Sequence, residues 1–214
     1  MFERPRAEEQ AKVIDPEIAP EEGSLKMGEV VSRVSKYTNN SAVVVTDVGQ
    51  NQMMGVRYSG YSQPRSVITS GGLGTMGFGL PAAVGAKFGA PDRTVCLFVG
   101  DGGLQMTLQE LGTIKAYGLN VKIVLLSNTV LGMVRQWQKL MFNKHYSQTT
   151  LERKTDFVKL ADAYGGHGFN VTEKEQLSAV LDEAMTLDGP VIVNVAIDKD
   201  ANVLPMVPPG NAYN

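Results

Sequence analysis

The stretch FVGDGGLQMTLQEL, residues 98–111, decides the fold, because an apolar run changes there into a helical pattern across a glycine turn. Asp101 stands inside that turn. A carboxylate at the end of a buried strand costs desolvation free energy unless it is paired, and a glycine turn lets backbone N–H groups approach an anion. Asp101 repels a phosphate unless a cation lies between them. The stretch therefore suggests a diphosphate held through a divalent metal ion.

The same alternation of strand-like and helical patterns recurs along the chain. The strand-like runs are AVVVTDV (42–48), TVCLFVG (94–100), VKIVLLSN (121–128) and VIVNVAI (191–197), with helical patterns between them. Such alternation is typical of βαβ units. We therefore expect an α/β fold with three layers (αβα), in which a mostly parallel sheet carries helices on both faces.

Four glycine-containing or polar motifs follow strand-like runs. They are DVGQNQM (47–53), SGGLGTMGFG (70–79), GDGG (100–103) and SNTVLGM (127–133). In a parallel sheet all four open on the edge where ligands bind. The second motif contains a G-x-G-x-x-G pattern, but Asp92, near the distance where a dinucleotide site expects an acidic residue, lies in a turn. A nucleotide-binding G-x-x-x-x-G-K-[ST] motif is absent from the sequence.

Asp101 and Asn128 are candidate metal ligands. They stand 27 positions apart, at the ends of two consecutive strand-like runs, so a right-handed crossover places them side by side. Mg²⁺ prefers oxygen ligands and commonly uses one or two side chains together with substrate phosphates and water. A backbone carbonyl just after Asn128 could add a further ligand.

Composition excludes some classes of function. The chain has 214 residues and a formal net charge of -2, which leaves no basic field for nucleic acid. No apolar run reaches the ~20 residues that span a bilayer, and the N-terminus lacks the layout of a signal peptide. Cys96 is the only cysteine, which fits a reducing compartment. We expect a cytoplasmic protein that binds neither nucleic acid nor membrane.

The chain divides by composition into three parts. Residues 1–23 are rich in glutamate and proline, which is typical of a linker rather than a core. We expect a cofactor-binding domain over residues 24–197 and a C-terminal tail over residues 198–214.

The motifs together resemble a known family. GDG followed by 25 residues and an asparagine is similar to the thiamine-diphosphate motif. The stretches TDVGQNQM, TSGGLGTMGFGLPAAVGAK, GDGGLQMTLQELGTI and LGMVRQWQ resemble the C-terminal cofactor domain of the acetolactate synthase large subunit, from about Val13 to residue 210. Three positions depart from the family pattern: Ser127 replaces a first asparagine, Asn51 stands where histidine is frequent, and Gly103 stands where serine is common.

The resemblance implies the roles of individual residues. Asp101, Asn128 and the main-chain oxygen of Val130 would bind Mg²⁺. Met76 resembles the apolar wedge that bends thiamine diphosphate, while Met133 and Trp137 would shape the pocket for the second 2-keto acid. The residues expected to line the cofactor are Val48, Gly49, Gln50, Asn51, Gly74, Met76, Gly102, Gly103, Leu131, Gly132 and Met133. Packing in the core and tight turns are the alternative explanations for the methionines and glycines.

The resemblance also implies a reaction and missing parts. Two pyruvates, or pyruvate and 2-ketobutyrate, condense with loss of CO₂ in branched-chain amino-acid biosynthesis. The glutamate that activates the cofactor in the family lies on a separate pyrimidine-binding domain of a partner subunit, and another domain carries FAD. We therefore expect no catalytic side chain in this chain, with further N-terminal domains, a dimer or tetramer and a regulatory small subunit as partners.

Two other interpretations remain open at the level of the sequence. The chain could belong to a different thiamine-diphosphate enzyme, such as an oxidase, a decarboxylase or glyoxylate carboligase, although Trp137 within LGMVRQWQ argues against it. It could also be a noncatalytic assembly module. Binding of thiamine diphosphate with and without Mg²⁺ separates a cofactor domain from an assembly module.

Overall fold

The computed structural model of the protein describes residues 3–20, 23–151, 155–206 and 210. The strands within these residues are β1 (Val43–Thr46), β2 (Val67–Ile68), β3 (Val95–Val99), β4 (Val121–Ser127), β5 (His167–Val171) and β6 (Val191–Ala196). The α-helices are α1 (Glu3–Glu9), α2 (Asp15–Ile18), α3 (Met27–Tyr37), α4 (Gln50–Tyr58), α5 (Gly79–Gly89), α6 (Asp101–Met106), α7 (Leu111–Tyr117), α8 (Gly132–Met141), α9 (Phe157–Ala163) and α10 (Gln176–Thr186). A π-helical turn covers Gln10–Ile14 and a 3₁₀ turn covers Leu108–Glu110.

The strands form one sheet in the order β2-β1-β3-β4-β6-β5, and every described pairing is parallel. All five residues of β3 are buried, and so are the first six residues of β4. Such runs, apolar except for Lys122 in β4, suit strands that are covered on both faces. The register aligns β3 with β4 so that Val99 pairs with Leu125, which brings the residues after both strands to the same edge.

Two hydrophobic cores lie on opposite faces of the sheet. On one face, helices α3, α4 and α10 pack against alternate strand residues that include Phe98 and Val193. On the other face, helices α5, α6, α7 and α9 pack against the intervening residues, among them Leu97 and Ile192. The expected α/β fold with helices on both faces of a parallel sheet is confirmed.

The helical pattern after β3 is split into two helices. Helix α6 ends at Met106, and α7 begins at Leu111 after the 3₁₀ turn. The break lies at Thr107, whose Oγ1 donates to the carbonyl of Gly77 at 3.0 Å. This hydrogen bond connects the break between α6 and α7 to the loop at 70–79.

The segment expected to be a linker is helical over residues 3–18. Glu9 pairs with Arg57 at 2.5 Å, and Oε1 of Glu17 accepts from the backbone N–H of Gly28 at 3.2 Å. The segment thus packs against α3 and α4, and its role as a connection to another domain stays a prediction. No helix among the described residues combines the length and the apolar composition needed to cross a bilayer.

We predict that Leu97→Ala lowers the free energy of unfolding by about 2–5 kcal/mol, because it removes buried volume from the central strand. Equilibrium unfolding in urea measures this loss. Leu73→Ala is the matched control, since the side chain of Leu73 is 94% exposed. Equal losses for the two variants would contradict the position of β3 between two cores.

Candidate functional site

The carboxyl ends of β1, β3 and β4 and the loop at 70–79 surround a cavity of about 220 Å³. The cavity lies where the strand order reverses, because the chain passes from β1 outward to β2 and then returns to β3 on the other side of β1. Ligands of open parallel sheets bind at such a point. The residues expected to contact cofactor or metal all line it: Val48, Gly49, Gln50, Asn51, Gly74, Met76, Asp101, Gly102, Gly103, Asn128, Val130, Leu131, Gly132 and Met133.

Asp101 connects the turn after β3 to the turn after β4. Its Oδ2 accepts from the backbone N–H of Thr129 at 2.7 Å and from Oγ of Ser127 at 3.2 Å, and its Oδ1 accepts from the N–H of Gly102 at 2.9 Å. Burial raises the pKa of the Asp101 carboxyl above its ordinary value of 3.8, although these hydrogen bonds oppose the shift. Among the described residues, no Lys, Arg or His forms an ion pair with Asp101.

Asn128 and Val130 lie beside this carboxylate, because Asp101 bonds both to Ser127 and to Thr129. The amide of Asn128 donates from Nδ2 to Oε1 of Gln50 at 3.3 Å and accepts at Oδ1 from the N–H of Val130 at 3.2 Å. Within the described residues, no hydrogen bond to the carbonyl of Val130 is found. The turn therefore offers two oxygen atoms with remaining lone pairs next to a carboxylate.

Glycine suits two points of the cavity wall. Gly49 has a φ of 110°, a backbone conformation that other residues rarely adopt, and it precedes α4. At Gly102 an added Cβ would lie 3.0 Å from Cδ2 of Leu131, so the backbone of the GDGG motif faces the cavity closely. Backbone N–H groups can then approach an anion directly.

Asp47, the first residue of the motif DVGQNQM, was not predicted to have a role in the site. Its side chain is fully buried and accepts from the N–H of Gly77 at 3.2 Å and from that of Gly79 at 2.8 Å. These bonds hold the loop at 70–79, and with it Met76, against the end of β1. The same carboxylate touches Gly103, where an added Cβ would lie 2.3 Å from Oδ1 of Asp47.

The expected apolar pocket residues occupy different positions. Met76 and Met133 line the cavity, whereas Trp137 lies one turn further along α8, outside the cavity wall, and is 47% exposed. Met27, Gly100, Leu126 and Val134 also line the cavity and were not expected there. Met27 gave no signal beyond the helical spacing of α3, since an apolar residue at the start of a helix usually indicates core packing.

Gln136 is a second residue that the sequence analysis did not single out as a site residue. It is 1% exposed and connects Gln50 to the segment 201–206 through hydrogen bonds to Val203. A glutamine between Arg135 and Trp137 on an amphipathic helix carries no sequence signal for burial, because its partners lie more than sixty residues away along the chain.

The donors and acceptors of the cavity fit a diphosphate with a divalent cation. Helices α4 and α8 begin at the cavity without side-chain caps, so their first N–H groups are available to an anion. The buried Oδ1 of Asn51 has no hydrogen-bond partner among the described residues. No group of three or more His, Cys, Asp or Glu side chains in the described part could hold a metal ion. Any metal here would be held by a combination of carboxylate, amide and main-chain oxygen atoms.

Comparison with known proteins gives a consistent result. Residues 47–195 match the family described as "Thiamine pyrophosphate enzyme, C-terminal TPP binding domain". The chain is 54% identical over 181 residues to the acetolactate synthase isozyme 2 large subunit of Escherichia coli (strain K12), which covers 85% of this chain and 33% of that protein. It is 44% identical over 191 residues to the acetolactate synthase large subunit of Lactococcus lactis subsp. lactis (strain IL1403), covering 89% of this chain and 33% of the relative. The chain thus spans about a third of the length of these curated relatives.

We predict that Asp101 destabilises the ligand-free chain as the pH rises. Its folded-state pKa lies above 3.8, so its favourable contribution is fully present below that pH and is lost as the pH rises through the raised value. The free energy of unfolding of the wild type, relative to Asp101→Asn, should therefore fall as the pH rises above 3.8 and through the raised pKa of Asp101. Urea unfolding of both proteins at several pH values measures the difference. A difference that is flat or rises with pH would contradict the assignment.

Proposed function

Because this chain belongs to the C-terminal thiamine pyrophosphate-binding domains of thiamine pyrophosphate enzymes, we propose that its cavity holds the diphosphate of thiamine diphosphate through Mg²⁺. We further propose that it does so as the cofactor domain of an acetolactate synthase large subunit. The relatives that carry this name are 42–54% identical to the chain over most of its length.

One observation supports the assignment of a metal ion to this cavity most directly. Among the described residues that line the cavity, Asp101 is the only charged side chain, and no Lys, Arg or His is present. A diphosphate beside a carboxylate is repelled unless a cation lies between them. A hard divalent cation satisfies the carboxylate, the amide oxygen of Asn128 and the main-chain oxygen of Val130 together.

The remaining residues of the chain bind and orient the cofactor. The N–H groups at the starts of α4 and α8, with Gly49, Gln50, Asn51, Gly102, Gly103, Leu131 and Gly132 around them, would surround the diphosphate. Gly74, Val48 and Met133 line another part of the cavity wall and would contact the cofactor there. Met76 projects from a loop that Asp47 holds in place, and it would support the bent form of the cofactor. When bound, thiamine diphosphate supplies the electron sink for decarboxylation of a 2-keto acid.

The overall reaction belongs to the whole protein and is part of this proposal. It would condense two pyruvates, or pyruvate and 2-ketobutyrate, with release of CO₂ in branched-chain amino-acid biosynthesis. The described cavity contains no second carboxylate, and the glutamate that activates the cofactor would come from a pyrimidine-binding domain of a partner subunit. FAD would bind on a further domain of a longer protein.

The exposed face of α8 supports a partner at the cavity mouth. Val134, Trp137 and Met141 lie on this face and are between 42% and 49% exposed. An exposed apolar stripe beside a cofactor site suits contact with the pyrimidine-binding domain of a partner subunit. Trp137 would contact the second 2-keto acid there. The name "large subunit" of the relatives fits an oligomer with a regulatory small subunit. The burial of the single cysteine, Cys96, fits a cytoplasmic location.

We predict that Asp101→Ala abolishes Mg²⁺-dependent binding of thiamine diphosphate and leaves the sheet and its packed helices intact, because it removes a ligand and the hydrogen bonds of two turns but little core volume. Calorimetric titration of the 214-residue chain with and without Mg²⁺ measures binding, and circular dichroism checks the fold. Asp182→Ala, on the exposed side of α10, is the control that should bind like the wild type. Unchanged binding by Asp101→Ala would show that the metal site is misassigned.

We also predict that the isolated chain forms no acetolactate from pyruvate with saturating thiamine diphosphate, Mg²⁺ and FAD. It would bind the cofactor weakly, because it contacts one end of a molecule that is clamped between two domains. A colorimetric assay for acetoin after acid decarboxylation measures the product, and a full-length relative is the positive control. Appreciable turnover by the chain alone would require a proton-transfer group within it and would overturn the half-site assignment.

A further inference from the structure

We propose that Gln136 is a positioning residue for the metal, acting through Gln50 to fix which end of the Asn128 amide faces the cavity. The inference rests on the proposed function, since it takes Oδ1 of Asn128 as a metal ligand. Gln136 itself does not line the cavity. Its action would pass along a chain of three side-chain amides that starts at the backbone of the C-terminal segment 201–206.

The backbone of Val203 determines the orientation of Gln136. The N–H of Val203 donates to Oε1 of Gln136 at 2.8 Å, and Nε2 of Gln136 donates to the carbonyl of Val203 at 2.9 Å. A side-chain amide can be reversed with little change of shape, but the donor and acceptor of a peptide group cannot be exchanged. The oxygen of Gln136 must therefore lie toward the Val203 N–H, and its nitrogen toward the Val203 carbonyl.

Gln136 in turn determines the orientation of Gln50. Nε2 of Gln50 donates to Oε1 of Gln136 at 2.9 Å and to the carbonyl of Ala201 at 2.8 Å. Both of these partners are acceptors, so both require the nitrogen end of the Gln50 amide. Oε1 of Gln50 is consequently directed to the opposite side, where Asn128 lies.

Gln50 then determines the orientation of Asn128. Nδ2 of Asn128 donates to Oε1 of Gln50 at 3.3 Å, which leaves Oδ1 on the other side, where it accepts from the Val130 N–H at 3.2 Å. Reversal of the Asn128 amide would set two acceptors against each other at Gln50 and two donors at Val130. It would also present an NH₂ group, which cannot ligate a cation, in place of an oxygen.

Burial makes this order of donors and acceptors costly to change. Gln136, Gln50 and Asn128 are 1%, 4% and 8% exposed, so water cannot readily replace a lost partner. Groups that orient the ligands of a metal typically change its affinity about 10–100-fold when they are removed. We infer that the segment 201–206 contributes to metal binding although none of its residues lines the cavity.

The experiment measures the Mg²⁺ concentration at half-saturation in the 214-residue chain at saturating thiamine diphosphate. Calorimetric titration with Mg²⁺ gives this midpoint. Gln136→Met keeps the length of the side chain and removes its polarity, and it should raise the midpoint about tenfold or more. Should this variant melt below the assay temperature, Gln136→Asn, which is one methylene too short to reach both partners, replaces it with the same expectation.

Gln138→Met is the matched control. Gln138 lies on the same helix and holds the backbone of Ser147 in the same manner, with Nε2 donating to its carbonyl at 3.0 Å and Oε1 accepting from its N–H at 3.3 Å. Its amide has no described connection to Asn128. Both variants should lose thermal stability, but Gln138→Met should keep the midpoint within about twofold of the wild type, well short of the 10–100-fold loss typical of a group that orients a ligand.

The double variant Asn128→Asp/Gln136→Met distinguishes loss of the Asn128 amide orientation from a general loss of order in the site. In an Asn128→Asp background both side-chain atoms that face the metal or Gln50 are oxygens, so orientation no longer matters. Gln136→Met should then leave the Mg²⁺ midpoint unchanged or lower it. Equal midpoints for Gln136→Met and Gln138→Met, or the same tenfold rise in the Asp background, would overturn the role of Gln136 and leave the cofactor assignment standing. A wild type without Mg²⁺-dependent binding would overturn the proposed function, and this inference with it.

Discussion

The hydrogen bond from the Thr129 N–H to the carboxylate of Asp101 joins the ends of the two central strands. The parallel register of β3 and β4 brings these ends to one edge, and the Asp101 carboxylate then fixes the distance between the two turns. Asn128, Val130 and the start of α8 all take their positions from the turn that Asp101 holds. An asparagine could not accept all three of these hydrogen bonds, because the NH₂ end of its amide only donates, so the turns require a carboxyl group at position 101.

The buried carboxylate of Asp101 has no positively charged side chain beside it in the described part of the cavity wall. Burial raises the pKa of the Asp101 carboxyl. Backbone N–H groups at the turns and helix starts supply the remaining positive potential. Such groups are fixed in direction by the fold, whereas lysine and arginine side chains would have to be ordered on binding. The cavity is therefore organised before any ligand enters, provided that the loop at 70–79 stays attached to Asp47.

The sequence allowed the fold and most of the cavity wall to be predicted, because both depend on local patterns. Strand-like runs ending in glycine turns predict a parallel sheet, and a parallel sheet places GDGG and SNTVLGM on one edge whatever the details of packing. Asp47, Gln136 and the segment 201–206 were not predicted. Their roles depend on hydrogen bonds between residues that are 30 to 151 positions apart in the chain, and such contacts produce no periodic pattern in a sequence. The break of the helix at Thr107 escaped prediction for the same reason, since its partner is Gly77.

In the proposed site, the arrangement of charges would make metal and diphosphate depend on each other. Without a cation, Asp101 would oppose the approach of a diphosphate. Without a diphosphate, a cation held by Asp101, Asn128 and Val130 would have one charged ligand and two neutral ones. Each partner would therefore raise the affinity for the other, and thermodynamic linkage requires the two effects to be equal. The neutral ligands would set how large this coupling becomes, because an amide oxygen turned toward the cation attracts it and an amide NH₂ group repels it. The orientation of Asn128, fixed by two glutamines and by the backbone at Val203, would in this sense belong to the proposed cofactor site, even though Gln136 and Val203 lie behind the cavity wall.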